Sequence, residues 1–374
     1  MPLKYVTLIG SINVHGTKGS NMTPILPTHP TALLRCLGLT ILIVAASGCG
    51  DNPQTADDKA ALQSKSAGEP GTAQPPGCTP APPDAILPSQ RESGHTTLCW
   101  GAVGWREPTL NGKALQQQLD VYPARIASSA GAPLVVWAHP NGTSKTITPG
   151  DPYHEALVRP ALEAGYAFAS VEFRHPVVNA PSEPDQPVPH TDLGEALNYL
   201  TAHAQALNID PKNIFLVGQS RGTLGVWTAM QTKAPAPWPK VRAVFGYNAQ
   251  TSYDGNEFAE WFLVESDRAK FLKAFNEQNP NAERYGSAVR DVSADAPPVQ
   301  LRYSEPVVEG LISLKDLRQH DPLHYPNFGR VLCEAYARAQ APEGNCQYVA
   351  DSRINSVARG FYGYISFFNH HRSY

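Results

Sequence analysis

The chain has 374 residues, of which 42% are hydrophobic and 17% are charged, and its formal net charge is -3. This composition lacks both the basic surface that nucleic acids require and a polybasic membrane patch. We therefore expect a small molecule as the partner, and no nucleic acid.

Residues 1–49 have the pattern of an export segment. Residues 31–49 hold a short apolar core that ends in small residues, which is typical of a secretory signal and too short for a comfortable membrane span. The end of this stretch, Ala46-Ser47-Gly48-Cys49, resembles a bacterial lipobox, in which the cysteine carries the lipid. We expect an exported protein of the bacterial periplasm or cell envelope, lipid-anchored through Cys49 or secreted; a short anchor helix is the third interpretation.

The mature chain is expected to begin with a tether. Met22 would give a signal of more ordinary length, so residues 1–21 are interpreted as an over-extended start. Residues 50–94 are rich in Pro and Gly, with almost no large apolar residue up to about Pro83, so they cannot offset the entropy of ordering. The folded domain is predicted over residues 95–374.

Four cysteines lie beyond the export segment: Cys78, Cys99, Cys333 and Cys346. An even number in an oxidising compartment predicts two disulfide bonds, and proximity in sequence favours Cys78–Cys99 and Cys333–Cys346 among three possible pairings. Four unpaired buried thiols are the alternative. No cysteine spacing resembles a zinc site.

From residue 95 onward, strand and helix patterns alternate, which predicts a mostly parallel sheet flanked by helices. Strands are predicted at about 115–122, 134–138, 167–173, 214–217, 241–247, 298–303 and 347–350. Helices are predicted at about 153–164, 191–208, 328–341 and 355–369. Residues 250–295 carry aromatic residues without a strand pattern, so we interpret them as an inserted helical cap; a peripheral helix pair is the alternative.

The stretch 214–225 carries the strongest chemical signal in the sequence. Four apolar residues run directly into Gly218-Gln219-Ser220-Arg221-Gly222, and a helix pattern follows at once. A strand, a sharp turn and a helix with this glycine spacing form a nucleophile elbow, which exposes a serine hydroxyl at the sheet edge. A plain strand-to-helix connection is the alternative. We therefore predict Ser220 as a catalytic nucleophile.

These residues together resemble the α/β-hydrolase superfamily, particularly its secreted esterase and feruloyl-esterase or dienelactone-hydrolase-like branches. The resemblance covers about residues 95–370. It rests on Leu-Asp-Val-Tyr-Pro (119–123), Leu-Val-Val-Trp-Ala-His-Pro-Asn-Gly (134–142), Gly-Tyr-Ala-Phe-Ala-Ser-Val-Glu-Phe-Arg (165–174), Gly-Gln-Ser-Arg-Gly (218–222) and Ser-Ala-Asp-Ala-Pro-Pro-Val (293–299). It implies an α/β-hydrolase fold with a helical cap insertion at about 250–295.

The resemblance also implies an oxyanion hole. His139-Pro140-Asn141-Gly142 stands where such enzymes carry a His-Gly-Gly-Gly loop, so the backbone amides of Asn141, Gly142 and Arg221 would face the developing oxyanion. Pro140 has no N–H and cannot contribute. His139 is interpreted as a histidine that packs the turn rather than one that transfers a proton.

The acid of the triad is expected after the strand that follows the cap. Glu305 stands in that place, and glutamate can orient a histidine as aspartate does. A surface glutamate is the alternative.

The base is not assigned from the sequence. Family chain order puts the histidine after the last strand, near residues 350–353, and none stands there. Around His324, His-Tyr-Pro-Asn-Phe-Gly resembles a helix-start segment of the family, which favours a structural role. The open candidates are His320, His324, His370, His371 and His175.

Two functions therefore stand at this stage. The first is an exported serine hydrolase, a carboxylic-ester hydrolase that forms an acyl-enzyme on Ser220 and needs no metal or organic cofactor. The alternative is a non-catalytic hydrolase-fold lipoprotein that binds a ligand or partner, because no histidine follows the last predicted strand.

Overall fold

The computed structural model describes residues 94–100, 117–126, 128–174, 189–232, 237–279, 282 and 286–373. The predicted export segment and nearly all of the predicted tether lie outside these residues, as do Cys78 and His175. Lipidation and the domain boundary at residue 95 therefore stay predictions.

An eight-stranded sheet runs through the described residues in the order β1-β2-β4-β3-β5-β6-β7-β8. The β1–β2 and β2–β4 pairs are antiparallel, and all other neighbours are parallel. The strands are β1 (Thr96–Cys99), β2 (Gln118–Tyr122), β3 (Ala132–Ala138), β4 (Ala167–Val171), β5 (Ile209–Gln219), β6 (Ala243–Tyr247), β7 (Val299–Tyr303) and β8 (Cys346–Ala350). The predicted α/β fold class with a mostly parallel central sheet is confirmed.

Helices pack against this sheet between the strands. They are α1 (Arg159–Glu163, preceded by a π-helical turn His154–Val158), α2 (Pro189–Ala202), α3 (Ala204–Leu207), α4 (Gly222–Val226, continued by a 3₁₀ turn Trp227–Met230), α5 (Gly255–Phe262), α6 (Glu265–Gln278), α7 (Ala288–Asp291), α8 (Leu314–Leu317), α9 (Asn327–Arg338), α10 (Val357–Gly360) and α11 (Tyr364–His371). Two predicted helices are each divided in two, 191–208 at His203 and 355–369 at the turn before α11.

The core lies on both faces of the sheet, because the side chains of a strand alternate between its faces. In β3, Leu134 and Val136 pack on the face that also holds α2 residues. Val135 and Trp137 pack on the other face, with α11. Every residue of β3 is buried, as expected for a central parallel strand.

The nucleophile strand is longer than the sequence predicts. Its pairing with β3 jumps from Ala132–Ile209 to Leu134–Ile214, so the segment Asp210–Asn213 bulges out of the ladder. Asp210 stabilises this bulge by accepting hydrogen bonds from the Lys212 amide at 2.9 Å and the Asn213 side chain at 2.7 Å. Asp210-Pro211, which has the composition of a turn, thus lies in a bulge inside β5.

The insertion between β6 and β7 is helical, as predicted, and consists of α5, α6 and α7. It is tied to the loop that follows β7, because Leu263 and Ile312 form a parallel bridge. The Val264 amide donates to the Ile312 carbonyl at 3.0 Å, and the Ile312 amide donates to the Phe262 carbonyl at 2.9 Å. Backbone hydrogen bonds therefore join the insertion to that loop.

The predicted disulfide between Cys333 and Cys346 is present and joins α9 to β8. Cys99 is also disulfide-bonded, while Cys78, its predicted partner, lies outside the described residues. None of the helices in the described part of the chain is both long and apolar enough to cross a membrane.

Candidate active site

Ser220 occupies the sharp turn between β5 and α4. Its φ is +52°, a left-handed conformation that costs energy for a residue with a Cβ and is typical of functional turns. Neighbouring groups fix this conformation: the Ser220 amide donates to the Tyr247 carbonyl at 3.0 Å, and the Ser220 carbonyl accepts from the Thr223 amide at 3.0 Å. Ser220 is partly exposed. The turn is therefore a strained elbow that presents the hydroxyl.

The glycine after the serine is required by close packing. A Cβ on Gly222 would lie 2.1 Å from the Ala138 carbonyl oxygen and 2.6 Å from that of His139. Only glycine lets the start of α4 come this close to the carboxyl end of β3. The same contact brings the elbow against the loop that follows β3.

His324 is the histidine that reaches the nucleophile. Its Nε2 lies 2.6 Å from Ser220 Oγ, within hydrogen-bond distance. It ends a short 3₁₀ turn, Pro322–His324, between β7 and α9. His324 thus lies before β8 rather than after it. Its contact with Ser220 does not fit the purely structural role that its local sequence favours.

Asp321 completes the arrangement. Its Oδ2 lies 2.5 Å from His324 Nδ1, and its Oδ1 accepts from the Leu323 amide at 3.2 Å, so the aspartate also caps the turn. Burial alone would raise the pKa of Asp321, but the hydrogen bond and charge of His324 and the backbone amides outweigh it, so the pKa lies below its ordinary value. The carboxylate therefore stays ionised at neutral pH and fixes the orientation of the imidazole.

Glu305, the acid predicted from the sequence, does not occupy this position. Its Oε1 accepts from the Asp321 amide at 3.2 Å, and its Oε2 lies 3.3 Å from His320 Nδ1. The reason is local: Asp321 stands three residues before His324 on one tight turn and fills the Nδ1 side of the ring. Glu305 supports the backbone of the acid instead. Sequence reasoning missed Asp321, and its signal was the Asp-Pro-Leu-His spacing of a capped turn.

The predicted oxyanion residues lie beside the elbow. Asn141 and Gly142 form a turn at the carboxyl end of β3, with Gly142 at φ +79°. We call residues 139–147 the oxyanion loop. Arg221 directly follows Ser220 and precedes the first residue of α4, where backbone amides point away from the helix. The three predicted donors are thus on the two segments that Gly222 brings into contact.

His139 has a structural role, as expected from the sequence. It is 1% exposed, and its Nε2 lies 2.9 Å from Glu172 Oε1. Its ring also packs against Phe173, with 4.9 Å between ring centroids.

Two of the remaining candidate bases lie elsewhere, while His175 is outside the described residues. His370 and His371 line a cavity of about 630 Å³ that also contains Lys240 and Arg242. Those two residues precede β6, so this cavity lies at the amino ends of the strands, whereas Ser220 follows the carboxyl end of β5. Within the described residues, no group of three or more histidine, cysteine or carboxylate side chains could hold a metal ion.

The helical insertion contacts both halves of the site. The Arg221 guanidinium donates to the Tyr253 hydroxyl at 3.1 Å, and that hydroxyl donates to Asn279 Oδ1 at 3.1 Å. On the other side, the Phe262 ring packs against Tyr325, the neighbour of His324, with 5.1 Å between centroids. The insertion therefore supports the elbow and the histidine turn together.

Comparison with known families agrees with the resemblance stated from the sequence. Residues 119–254 match the BD-FAE family model, which is α/β-hydrolase-like. The matched stretch runs from β2 through the elbow to the start of the insertion. No curated protein sequence matches the chain.

Solved esterase structures are similar to the chain only at a low level. A thermophilic esterase from the planctomycete Thermogutta terrifontis, in its butyrate-bound form, has 15% identity and a TM-score of 0.46, covering 74% of this chain and 91% of its own. A bacterial heroin esterase has 19% identity and a TM-score of 0.48, with coverage of 75% and 84%. A truncated carbohydrate esterase from gut microbiota has 15% identity and a TM-score of 0.46, with coverage of 72% and 96%. These values are too low to carry an activity or a substrate over to this chain.

The close packing of Gly222 can be tested with two substitutions in α4. We expect Gly222→Ala to lower the free energy of unfolding by about 2 kcal/mol or more, because its Cβ would overlap backbone oxygens. Gly225→Ala is the matched control: its Cβ would meet no atom closer than 3.6 Å, and alanine favours the helix by about 0.5–1 kcal/mol. Urea unfolding measures both. Equal stability of the two variants would show that α4 does not need the close approach.

Proposed function

We propose that this protein is a serine hydrolase that cleaves carboxylic esters through an acyl-enzyme on Ser220. The observation that carries the proposal is the 2.6 Å contact between Ser220 Oγ and His324 Nε2, with Asp321 on the far side of the imidazole. A serine, an imidazole and a carboxylate in this order are the parts needed to activate a hydroxyl for acyl transfer.

The first half of the reaction follows from these contacts. His324 Nε2 takes the proton from Ser220 Oγ as the oxygen attacks the ester carbonyl carbon. The carbonyl electrons move onto oxygen, and a tetrahedral intermediate forms. The imidazolium then gives its proton to the alcohol oxygen as that bond breaks, which leaves the acyl group on Ser220. Asp321 stabilises the imidazolium in both steps without taking the proton.

The second half repeats the same chemistry with water. His324 takes a proton from water, the hydroxide oxygen attacks the acyl carbon, and a second tetrahedral intermediate forms. When it collapses, the imidazolium returns the proton to Ser220 Oγ, and the carboxylic acid leaves. The site regains its starting state, and no redox change or cofactor is required.

The oxyanion donors in this proposal are the backbone amides of Asn141, Gly142 and Arg221. Fixed donors of this kind stabilise charge that appears only in the transition state. The exposed turn of Asn141 and Gly142 next to the elbow supports the assignment.

The contact made by His324 favours catalysis over the binding-only alternative. That alternative was motivated by the lack of a histidine after the last strand, and an imidazole at Ser220 from another loop removes the motivation. The proposed substrate is a small-molecule ester, for which the net charge of -3 offers no obstacle.

We propose further that the protein is exported to the bacterial periplasm or cell envelope, with a lipid anchor on Cys49. The lipobox-like end of the signal supports this location. The Cys333–Cys346 disulfide supports it as well, because such bonds persist in oxidising compartments.

The nucleophile is tested by covalent labelling. We expect a fluorophosphonate probe to label the wild type and not Ser220→Ala, because only an activated serine attacks the probe. Hydrolysis of short p-nitrophenyl esters should fall by about 10⁴-fold or more in that variant. A folded wild type that neither labels nor hydrolyses any ester tested would end the hydrolase proposal in favour of the binding-only alternative.

The acid is tested by comparing two carboxylates. We expect Asp321→Asn to lower kcat by about 10³–10⁴-fold, because the imidazole loses the partner that orients and stabilises it. Glu305→Gln should lower kcat by less than about tenfold, since the Glu305 carboxylate contacts the Asp321 amide and the His320 ring rather than His324. Steady-state kinetics at pH 7, well above the ordinary aspartate pKa, measures both. A larger loss for Glu305→Gln than for Asp321→Asn would return the acid to Glu305.

The anchor is tested by metabolic labelling with radioactive palmitate in a bacterial host. The wild type should incorporate label and sediment with membranes, whereas Cys49→Ala should do neither, because its sulfur is the proposed attachment point. Cys36→Ala, in the same signal, is the control and should label normally. Unlabelled wild type recovered in the soluble periplasm would replace the anchored form with a secreted one.

A further inference from the structure

Four buried ionisable side chains lie in or against the oxyanion loop: His139 and Lys145 belong to it, and Asp120 and Glu172 contact it from other segments. Asp120, His139, Lys145 and Glu172 are 0%, 1%, 7% and 8% exposed, respectively. Burying ionisable groups is unfavourable unless they are paired and hydrogen-bonded to each other. A hydrophobic cluster could close the same space without that cost. Their presence in and against a loop with a proposed catalytic role therefore calls for an explanation.

Glu172 contacts the loop on both sides of its tip, at His139 and at Lys145. Its Oε1 lies 2.9 Å from His139 Nε2, at the start of the loop, and its Oε2 accepts from the Lys145 amide at 3.3 Å. The residues between these two contacts include Asn141 and Gly142, the proposed oxyanion donors. One carboxylate thus fixes the width of the turn that carries them.

Asp120 holds the loop from strand β2, which is separated from β3 by β4. Its Oδ1 accepts from Lys145 Nζ at 2.6 Å and from the Thr97 hydroxyl at 2.6 Å. Further along, the Tyr122 hydroxyl donates to the Ile147 carbonyl at 2.7 Å. The later residues of the loop, Lys145 and Ile147, are therefore attached to β2.

The tip itself lacks such buried side-chain support. Asn141 is partly exposed and Gly142 is exposed, while Lys145 and Ile147 are buried. Within the tip, the Thr143 hydroxyl donates to the Pro140 carbonyl at 2.9 Å and closes the turn. This division places the buried fixed points of the loop on either side of the tip and leaves the tip itself exposed.

We infer that Asp120, His139, Lys145 and Glu172 form a positioning cluster that holds the Asn141–Gly142 amides at the place where the oxyanion develops. The inference rests on the proposed function. Oxyanion donors act only within a few tenths of an ångström of the right position, so a loop whose support is weakened loses transition-state stabilisation before it loses substrate binding. The four residues touch no substrate and act through the loop.

The test is Glu172→Gln, which keeps the shape of the side chain but replaces one acceptor oxygen by a donor. We expect kcat for a short p-nitrophenyl ester to fall ten- to a hundredfold while KM stays within threefold. Backbone hydrogen exchange should become faster for the amides of residues 139–147. A folded Glu172→Gln whose kcat is within twofold of wild type would overturn the inference.

Asp192→Asn is the matched control. Asp192 is also a fully buried carboxylate, and it is ion-paired with Arg174 at 2.6 Å, but it belongs to α2 and not to the cluster. This variant should lose stability and keep kcat within twofold. An equal loss of kcat in Asp192→Asn would show that any buried carboxylate has this effect, and would count against the cluster.

A second variant covers the case in which Glu172→Gln does not fold. Thr143 is exposed, and its hydroxyl donates to the Pro140 carbonyl at 2.9 Å and lies 3.5 Å from Nδ1 of His139, a member of the cluster. Thr143→Val removes both contacts and should lower kcat three- to tenfold with KM unchanged. An unchanged kcat in Thr143→Val would then overturn the inference. Hydrogen exchange distinguishes a failure of the proposed function from a failure of the cluster. A wild type without esterase activity refutes the function. The exchange rates of residues 139–147 in wild type and Glu172→Gln still decide whether the cluster fixes the loop.

Discussion

The hydrogen bond between Ser220 and His324 joins two segments that are 104 residues apart in sequence, and the chemistry depends on both being held in place. On one side, the serine is fixed by a left-handed turn whose amide and carbonyl are both engaged. On the other side, the histidine is fixed by a turn that its own acid caps. The sheet brings the two turns to the same edge, because β5 and β7 are parallel and both end there.

The elements that follow from local sequence were predicted well. Buried parallel strands appear as apolar runs, and the Gly-x-Ser-x-Gly pattern specifies its own backbone, so Ser220 and the sheet were identified without a structure. Short polar segments were not: β1 contains Thr96 and Thr97 and has no apolar run to reveal it. The bulge in β5 was missed for a similar reason, because Asp210-Pro211 has the composition of a turn.

The proposed acid and base could not be selected from the sequence, because the choice depends on the tertiary position of the long loop between β7 and α9. Glu305 stands two residues after the end of β7, where the acid is expected, yet its carboxylate accepts a hydrogen bond from the Asp321 amide. His324 was one of five candidates, and nothing in its local sequence indicates that the loop folds back over the elbow. The contacts that bring it there come from the insertion, through the Leu263–Ile312 bridge and the Phe262–Tyr325 ring contact.

The turn 321–324 carries the proposed acid and the proposed base within four consecutive residues, which changes how the site can be assembled. When the two groups come from separate loops, folding must satisfy two independent alignments, base to nucleophile and acid to base. Here the second alignment is built into a single turn and exists wherever that turn forms. The tertiary structure then has to set only one long-range distance, the one between Ser220 Oγ and His324 Nε2. The contact between Asp321 and His324 depends on the turn alone.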